Sequence, residues 1–121
     1  MIMKIESYQD LIVWQKAIDY VVFCYEVSAK FPASENFGLT SQLRRSAVSV
    51  PSNIAEGYGR NSRGEYIQFL GVANGSLKES ETQIIVASRL KYINSEQFND
   101  GLNRSSEIGK MLRGLINSLR K

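Results

Sequence analysis

The sequence predicts an all-α fold, an antiparallel up-down-up-down four-helix bundle with its second helix kinked at Pro51. Three observations predict it. Apolar residues recur at steps of three and four along four long segments. Capping and stopping residues punctuate the joints between those segments. No stretch of comparable length alternates apolar and polar residues as a strand does. The whole chain, 1–121, reads as one domain with helices at about 8–30, 35–58, 63–92 and 95–120.

Ser7 is the expected cap of the first helix, with Asp10 in the first turn, where negative charge is favoured. Leu11, Trp14, Ile18, Val21 and Tyr25 form its expected seam, widened by Ala17 and Val22. Phe31-Pro32 ends it, because the residue before proline disfavours the α conformation. Ser34 or Asn36 opens the second helix, whose apolar set is Leu39, Leu43, Ala47, Val50 and Ile54. Gly57 and Gly59 mark its end. Ser62 and Glu65 fit a capping box for the third helix, in which Tyr66, Leu70, Ala73, Leu77, Ile84 and Ala87 share one face with Ser80. Asn94-Ser95 makes a turn and cap. The fourth helix carries Phe98, Leu102, Ile108, Leu112, Leu115 and Leu119, with Ser105 on the same row.

Composition removes several function classes. The chain has no histidine, so histidine-based triads, Cys-His pairs and Glu-x-x-His metal sites are absent. No Gly-x-x-x-x-Gly-Lys-Ser/Thr phosphate loop occurs. Cys24 is the single cysteine, which excludes an internal disulfide and suits a reducing, cytoplasmic setting. No apolar run is long enough for an ordinary membrane span, and the start, MIMKIESYQD, has no signal-peptide core. No cofactor or metal is expected. The net charge of +3 permits a nucleic-acid or anionic partner without requiring one.

The segment Gln42–Arg60 is the most informative. Gln42, Arg45, Ser49, Asn53, Glu56 and Arg60 line one stripe of the second helix at steps of three or four. Pro51 sits in the middle, at a usual cost of about 3 kcal/mol inside a helix. A break at Pro51 is one reading. A continuous, kinked helix is preferred, because the apolar spacing passes through Pro51 without slipping, with Ser46 and Ser49 available to satisfy freed backbone groups. The polar stripe has three readings: a solvated face, a network joining helices two and three, or a binding surface. Glu79 and Glu81 are the expected partners of Arg45 or Arg60. Gly71 and Gly75 point to close helix or subunit packing, since each glycine inside a helix costs up to ~1 kcal/mol. Trp14 and Cys24 are expected in the core or a subunit interface; Tyr8, Tyr58 and Tyr66 suit core or rim packing, or stacking on bases.

These residues also carry a resemblance. Leu11-Ile-Val-Trp14-Gln-Lys-Ala17, Leu39-Thr-Ser-Gln42-Leu-Arg-Arg45, Ser49-Val-Pro-Ser-Asn53-Ile-Ala-Glu56-Gly57, Gly59-Arg60 and Phe69 through Glu79 span nearly the whole chain. Together they resemble the bacterial four-helix-bundle family encoded by intervening sequences in 23S ribosomal RNA genes. The resemblance implies a ring, most often a homopentamer. Members are often labelled ribosomal proteins, a label that reflects gene location. It also implies kinship with the accessory variability protein of diversity-generating retroelements, a basic pentamer that binds nucleic acid and a reverse transcriptase.

The expectation is therefore a non-enzymatic, ring-forming bundle that binds RNA or DNA, with Arg44, Arg45, Arg60 and Arg63 as phosphate contacts. Gln42, Ser49, Asn53, Glu56 and Glu79 are expected to shape the bundle and its interface. The alternative is an oligomeric protein-interaction scaffold that binds no nucleic acid. An enzyme with Glu56, Glu79 and Glu81 as a carboxylate site is the third and weakest option.

Overall fold

The computed structural model describes residues 4–121. Its four helices are α1 (Ile12–Ser28), α2 (Leu39–Tyr58), α3 (Arg63–Arg89) and α4 (Ser95–Leu119), and the described residues contain no strand.

The helix ends follow local chemistry. Ser7 and Asp10 do form a capping box, but around a 3-10 turn at Tyr8–Asp10. Extended Leu11 separates that turn from α1, so the first helix starts at Ile12 rather than 8. Ser34 and Asn36 cap nothing. A second 3-10 turn, Ala33–Glu35, follows Pro32, and Gly38 delays α2 to Leu39. Glu35 instead reaches forward, its Oε1 accepting from the Leu39 amide at 3.2 Å. Ser62 caps α3 by accepting from Glu65 N. That helix stops at Arg89, short of the expected 92, because Lys91 turns left-handed at φ 65°. Lys91 N then bonds Ser88 O and Tyr92 N bonds Ala87 O, closing a Schellman motif. Asn94 and Gln97 form the capping box of α4.

Pro51 lies inside an unbroken α2 and is itself buried. Neither expected serine takes up the carbonyl it frees: Ser46 donates to Leu43 O and Gln83, while Ser49 pairs with Ser76.

The expected seam of α1 is corrected by the structure. Its buried residues are Val13, Ala17, Tyr20, Cys24 and Val27. Leu11, Trp14, Ile18 and Val21 are only partly buried, and Val22 and Tyr25 are 50% and 42% exposed. The reason is compositional: α1 is apolar around most of its circumference, so periodicity within it cannot choose a face. α2 buries its whole expected set and α3 all of its own but the partly buried Tyr66, whereas of the α4 set only Ser105, Ile108 and Leu112 are buried and the expected Phe98, Leu102, Leu115 and Leu119 are partly exposed.

Hydrogen bonds between helices and between their connecting turns anchor the core. Tyr20 OH meets Ser80 Oγ at 2.8 Å with both residues fully buried. Ser105 donates to Glu81 Oε2 at 2.6 Å. Tyr92 stacks on Phe31 and donates to Glu35 Oε2 at 2.9 Å.

Burial pushes the Tyr20 phenol well above its ordinary 10.0. Burial also pushes the Cys24 thiol from 9.0 up to about 12, with Tyr20 and Arg104 pulling weakly the other way. Both groups stay neutral in the fold while the unfolded chain loses their protons. Their contribution is therefore complete below pH 9.0 and disappears as pH rises toward 12. A urea midpoint that drops steeply over this window is the expected result, and Cys24→Ala should remove part of the slope. A midpoint that holds steady across the window refutes the linkage.

Candidate functional site

The signature helix α2 presents its arginines at two separate places. Arg45 and Arg60 are fifteen residues apart, roughly 22 Å along a helix axis, so the expected phosphate contacts do not form one patch. Near the start of α2, Arg44 donates from Nε to Ser28 Oγ at 2.9 Å and from Nη2 to Tyr25 O at 3.3 Å. Its guanidinium lies 4.5 Å from the centre of the Tyr25 ring. At the other end, Arg60 pairs with Glu56 at 2.9 Å and Glu65 at 3.9 Å, and covers the Phe69 ring at 4.7 Å. Arg63 donates to Lys121 O at 3.0 Å. Arg45 alone of the four makes no hydrogen bond or ion pair among the described residues.

The polar stripe divides by depth. Ser49 and Asn53 are half-buried: Ser49 Oγ meets Ser76 Oγ at 2.8 Å, and Asn53 donates to both Ser49 O and Ser49 Oγ. Buried Ser46, one step beside the stripe, donates to Gln83 at 2.6 Å. A hydroxyl-amide network thus joins α2 to α3, as one reading of the stripe expected. Gln42, Arg45, Glu56 and Arg60 are exposed. The expected ion pairs across the two helices do not form. Glu81 pairs with Lys78 and Ser105, and Arg60 takes the nearer acids Glu56, one turn back, and Glu65, in the first turn of α3. Glu79 remains exposed beside Arg45, in a polar hollow of about 510 Å³ also lined by Gln42, Gln83 and a fully exposed Phe37. The spacing of Ser49 pointed to the network; nothing local marked Ser76 or Gln83 as its partners.

The glycines divide too. Gly57 is where α2 approaches α3: a β-carbon there would lie 2.7 Å from Phe69 Cβ and 3.1 Å from Tyr66 Cδ1. Gly57 is thus a contact point inside the helix rather than its stop. Gly71 and Gly75 face open space, with nothing within 4 Å, so they serve no close packing within the chain.

Among the described residues, Glu56 and Glu81 hold different partners, Glu79 pairs with nothing, and no group of three potential metal ligands occurs. Two of the surface clefts meet at Val48. One, of about 440 Å³, lies among Tyr25, Asn36, Thr40, Ser41, Arg44 and Arg45. The other, of about 280 Å³, is an apolar groove lined by Trp14, Ile18, Val21, Pro51 and Ala55. No helix among the described residues is long and apolar enough to cross a membrane.

The combination of the proline-bearing α2, its serine-asparagine network and the close approach at Gly57 runs through the region matched by one family description, 23S rRNA-intervening sequence protein, over residues 9–114. The chain belongs to that family. It is also similar to a protein of unknown function from the S23 ribosomal protein family of Bacteroides thetaiotaomicron. The two share 28% identity and a TM-score of 0.81, over 87% of this chain and 98% of the other. No curated protein matches the chain. Family membership accounts for the fold and for the signature residues that build the α2–α3 contact; the relative's own description assigns no activity.

Proposed function

We propose that this member of the family is a non-enzymatic bundle that assembles into a homo-oligomeric ring and binds RNA or DNA through its basic surfaces. The observation that carries the assembly is the second apolar face of α1. Half-exposed Val22 and partly exposed Trp14, Ile18 and Val21 continue into the groove formed with Val48, Pro51 and Ala55, which among the described residues is covered only at its edges, by Tyr8 on Trp14 and Arg44 on Tyr25. A helix apolar around its circumference is normally enclosed. Different apolar side chains, Val72 near the open Gly75 and Val86 with Leu90 at the other end, stand 40–50% exposed on the α3 side of the bundle. Two unlike faces on one chain support a head-to-tail contact between copies, and such contacts close into rings.

Assembly multiplies the +3 charge of each chain, which favours a polyanion. Light scattering should give a multiple of the 13.6 kDa chain mass, fivefold for the pentamer that the family resemblance implies. Val22→Glu, at a half-exposed site, should reduce the mass to one chain while leaving helicity unchanged. A wild-type protein that is monomeric at micromolar concentration rules the ring out. Replacing Arg60 and Arg63 together by glutamine should weaken RNA binding and flatten its salt dependence.

The scaffold reading, without nucleic acid, is favoured by one observation: Arg44, Arg60 and Arg63 already hold partners within the chain. An intact ring that retains no RNA at low salt would decide for it.

A further inference from the structure

We propose that the cleft between the end of α1 and the first turns of α2 is a phosphate-binding site. Thr40 is one of its walls. That residue is 7% exposed, and its Oγ1 is buried without a hydrogen-bond partner. Buried hydroxyls are nearly always paired, and a helical threonine ordinarily bonds a carbonyl one turn back. Thr40 does neither. Its side chain is part of the cleft wall, with the unpaired hydroxyl just behind the surface.

Other donors lie close by. The first intrahelical bond of α2 runs from Gln42 N to Gly38 O, and Glu35 occupies Leu39 N. The amides of Thr40 and Ser41 have no acceptor among the described residues, and Gly38 offers no side chain to cap them. The helix N-terminus thus presents free N–H groups and the positive end of its dipole. Ser41 and Arg45 lie four apart, as do Thr40 and Arg44, so hydroxyls and guanidiniums stack on neighbouring rows of α2. Arg45 carries an unpaired charge. Arg44 is pinned by Ser28 and Tyr25 yet keeps further N–H donors, since a guanidinium has five. Two acids are near: Glu35 does not line the cleft and its oxygens are committed to Leu39 N and Tyr92 OH, while Glu79 shares the adjoining hollow with Arg45 but does not line the cleft.

Hydroxyls and two guanidiniums, with the Asn36 amide side chain the one carbonyl-bearing group in the lining and no carboxylate, suit a ligand made of acceptors. A phosphate group, with several charged oxygens in tetrahedral array, fits that set. As the seat of a nucleic-acid phosphate the site rests on the nucleic-acid reading above; as a phosphate site it stands without it.

The test uses the full-length protein with a 5′-phosphorylated single-stranded RNA, the same RNA lacking that phosphate, and inorganic phosphate. Thr40→Val preserves shape and should raise Tm, because an unpaired hydroxyl leaves the interior. The same variant should weaken phosphorylated RNA about fivefold, and Arg45→Gln about tenfold, the range of a lost charge-assisted hydrogen bond. Inorganic phosphate should compete with the RNA on wild type and far less on Arg45→Gln. Loss confined to the phosphorylated RNA places a strand end in the cleft; equal loss on both RNAs places an internal phosphate there. RNA that binds both variants as it binds wild type, without phosphate competition, overturns the site and leaves the nucleic-acid reading standing. If no RNA binds wild type, that reading fails instead. A phosphate-induced rise in Tm that Arg45→Gln abolishes then supports the site with free phosphate as its ligand, and the absence of any rise overturns it.

Discussion

Replacing Gly57 by alanine is expected to destabilise the protein by about 2 kcal/mol, through overpacking that costs up to about 3 kcal/mol less the helix-propensity gain of up to ~1 kcal/mol. The added methyl would sit 2.7 Å from Phe69 Cβ, 3.1 Å from Tyr66 Cδ1 and 3.3 Å from Tyr66 O. Phe69 and Tyr66 are on the first turns of α3, and the carbonyl belongs to the helix backbone, so relief requires moving α3 off α2. Tyr66 is also held edge-on to Tyr58, and Phe69 lies under Arg60, so the shift would disturb both. The same substitution at Gly71 or Gly75 should act in the opposite direction. Nothing lies within 4 Å of either, so alanine brings its helix propensity, up to ~1 kcal/mol, without a clash. Urea denaturation of the three variants measures both signs. A Gly57→Ala protein as stable as wild type would mean that α2 and α3 do not pack this tightly. Gly71→Ala and Gly75→Ala proteins that are more stable but lose mass in light scattering would place the α3 face in the subunit contact.

The second large effect is expected at Tyr20 and Ser80. Ser80→Ala should cost about 2 kcal/mol, because it leaves the Tyr20 hydroxyl buried with no partner. Tyr20→Phe should cost about 1 kcal/mol, since Ser80 can still donate to Leu77 O at 2.7 Å. The double variant should be less destabilised than the two losses added together, as removing both halves of a buried pair leaves no orphaned group. Strict additivity in the double-mutant cycle would show that the two hydroxyls do not interact. Tyr20→Phe also removes a group that must ionise on alkaline unfolding, so its urea midpoint should fall less between pH 10.0 and 12 than that of wild type.

Much of the candidate site was legible along the chain, but only where its chemistry is local. The stripe spacing placed Ser49 and Asn53 together because i,i+4 neighbours on a helix meet whatever surrounds them. The pairing of Glu56 with Arg60 has the same origin. Partners drawn from another helix were not legible. Glu79 and Glu81 stood near Arg45 and Arg60 only by charge, and the closer acids Glu56 and Glu65 took Arg60. The two glycine roles were exchanged for a similar reason. A glycine near a helix end reads as a stop and one mid-helix as a contact, yet Gly57 is the contact and Gly71 and Gly75 are open.

By itself the sequence determined four helices, about half of their boundaries, the buried set of α2 and most of that of α3, and membership of a family. Those properties rest on short-range periodicity, caps and a long run of matching residues. Tertiary structure decided which face of α1 is enclosed, because a helix apolar on both sides is sorted only by its neighbours. It also decided that Arg44, Arg60 and Arg63 are held while Arg45 is free, and that Thr40 is buried without a partner beside it. Such facts depend on what stands opposite a residue across the bundle, and no spacing along one helix encodes that.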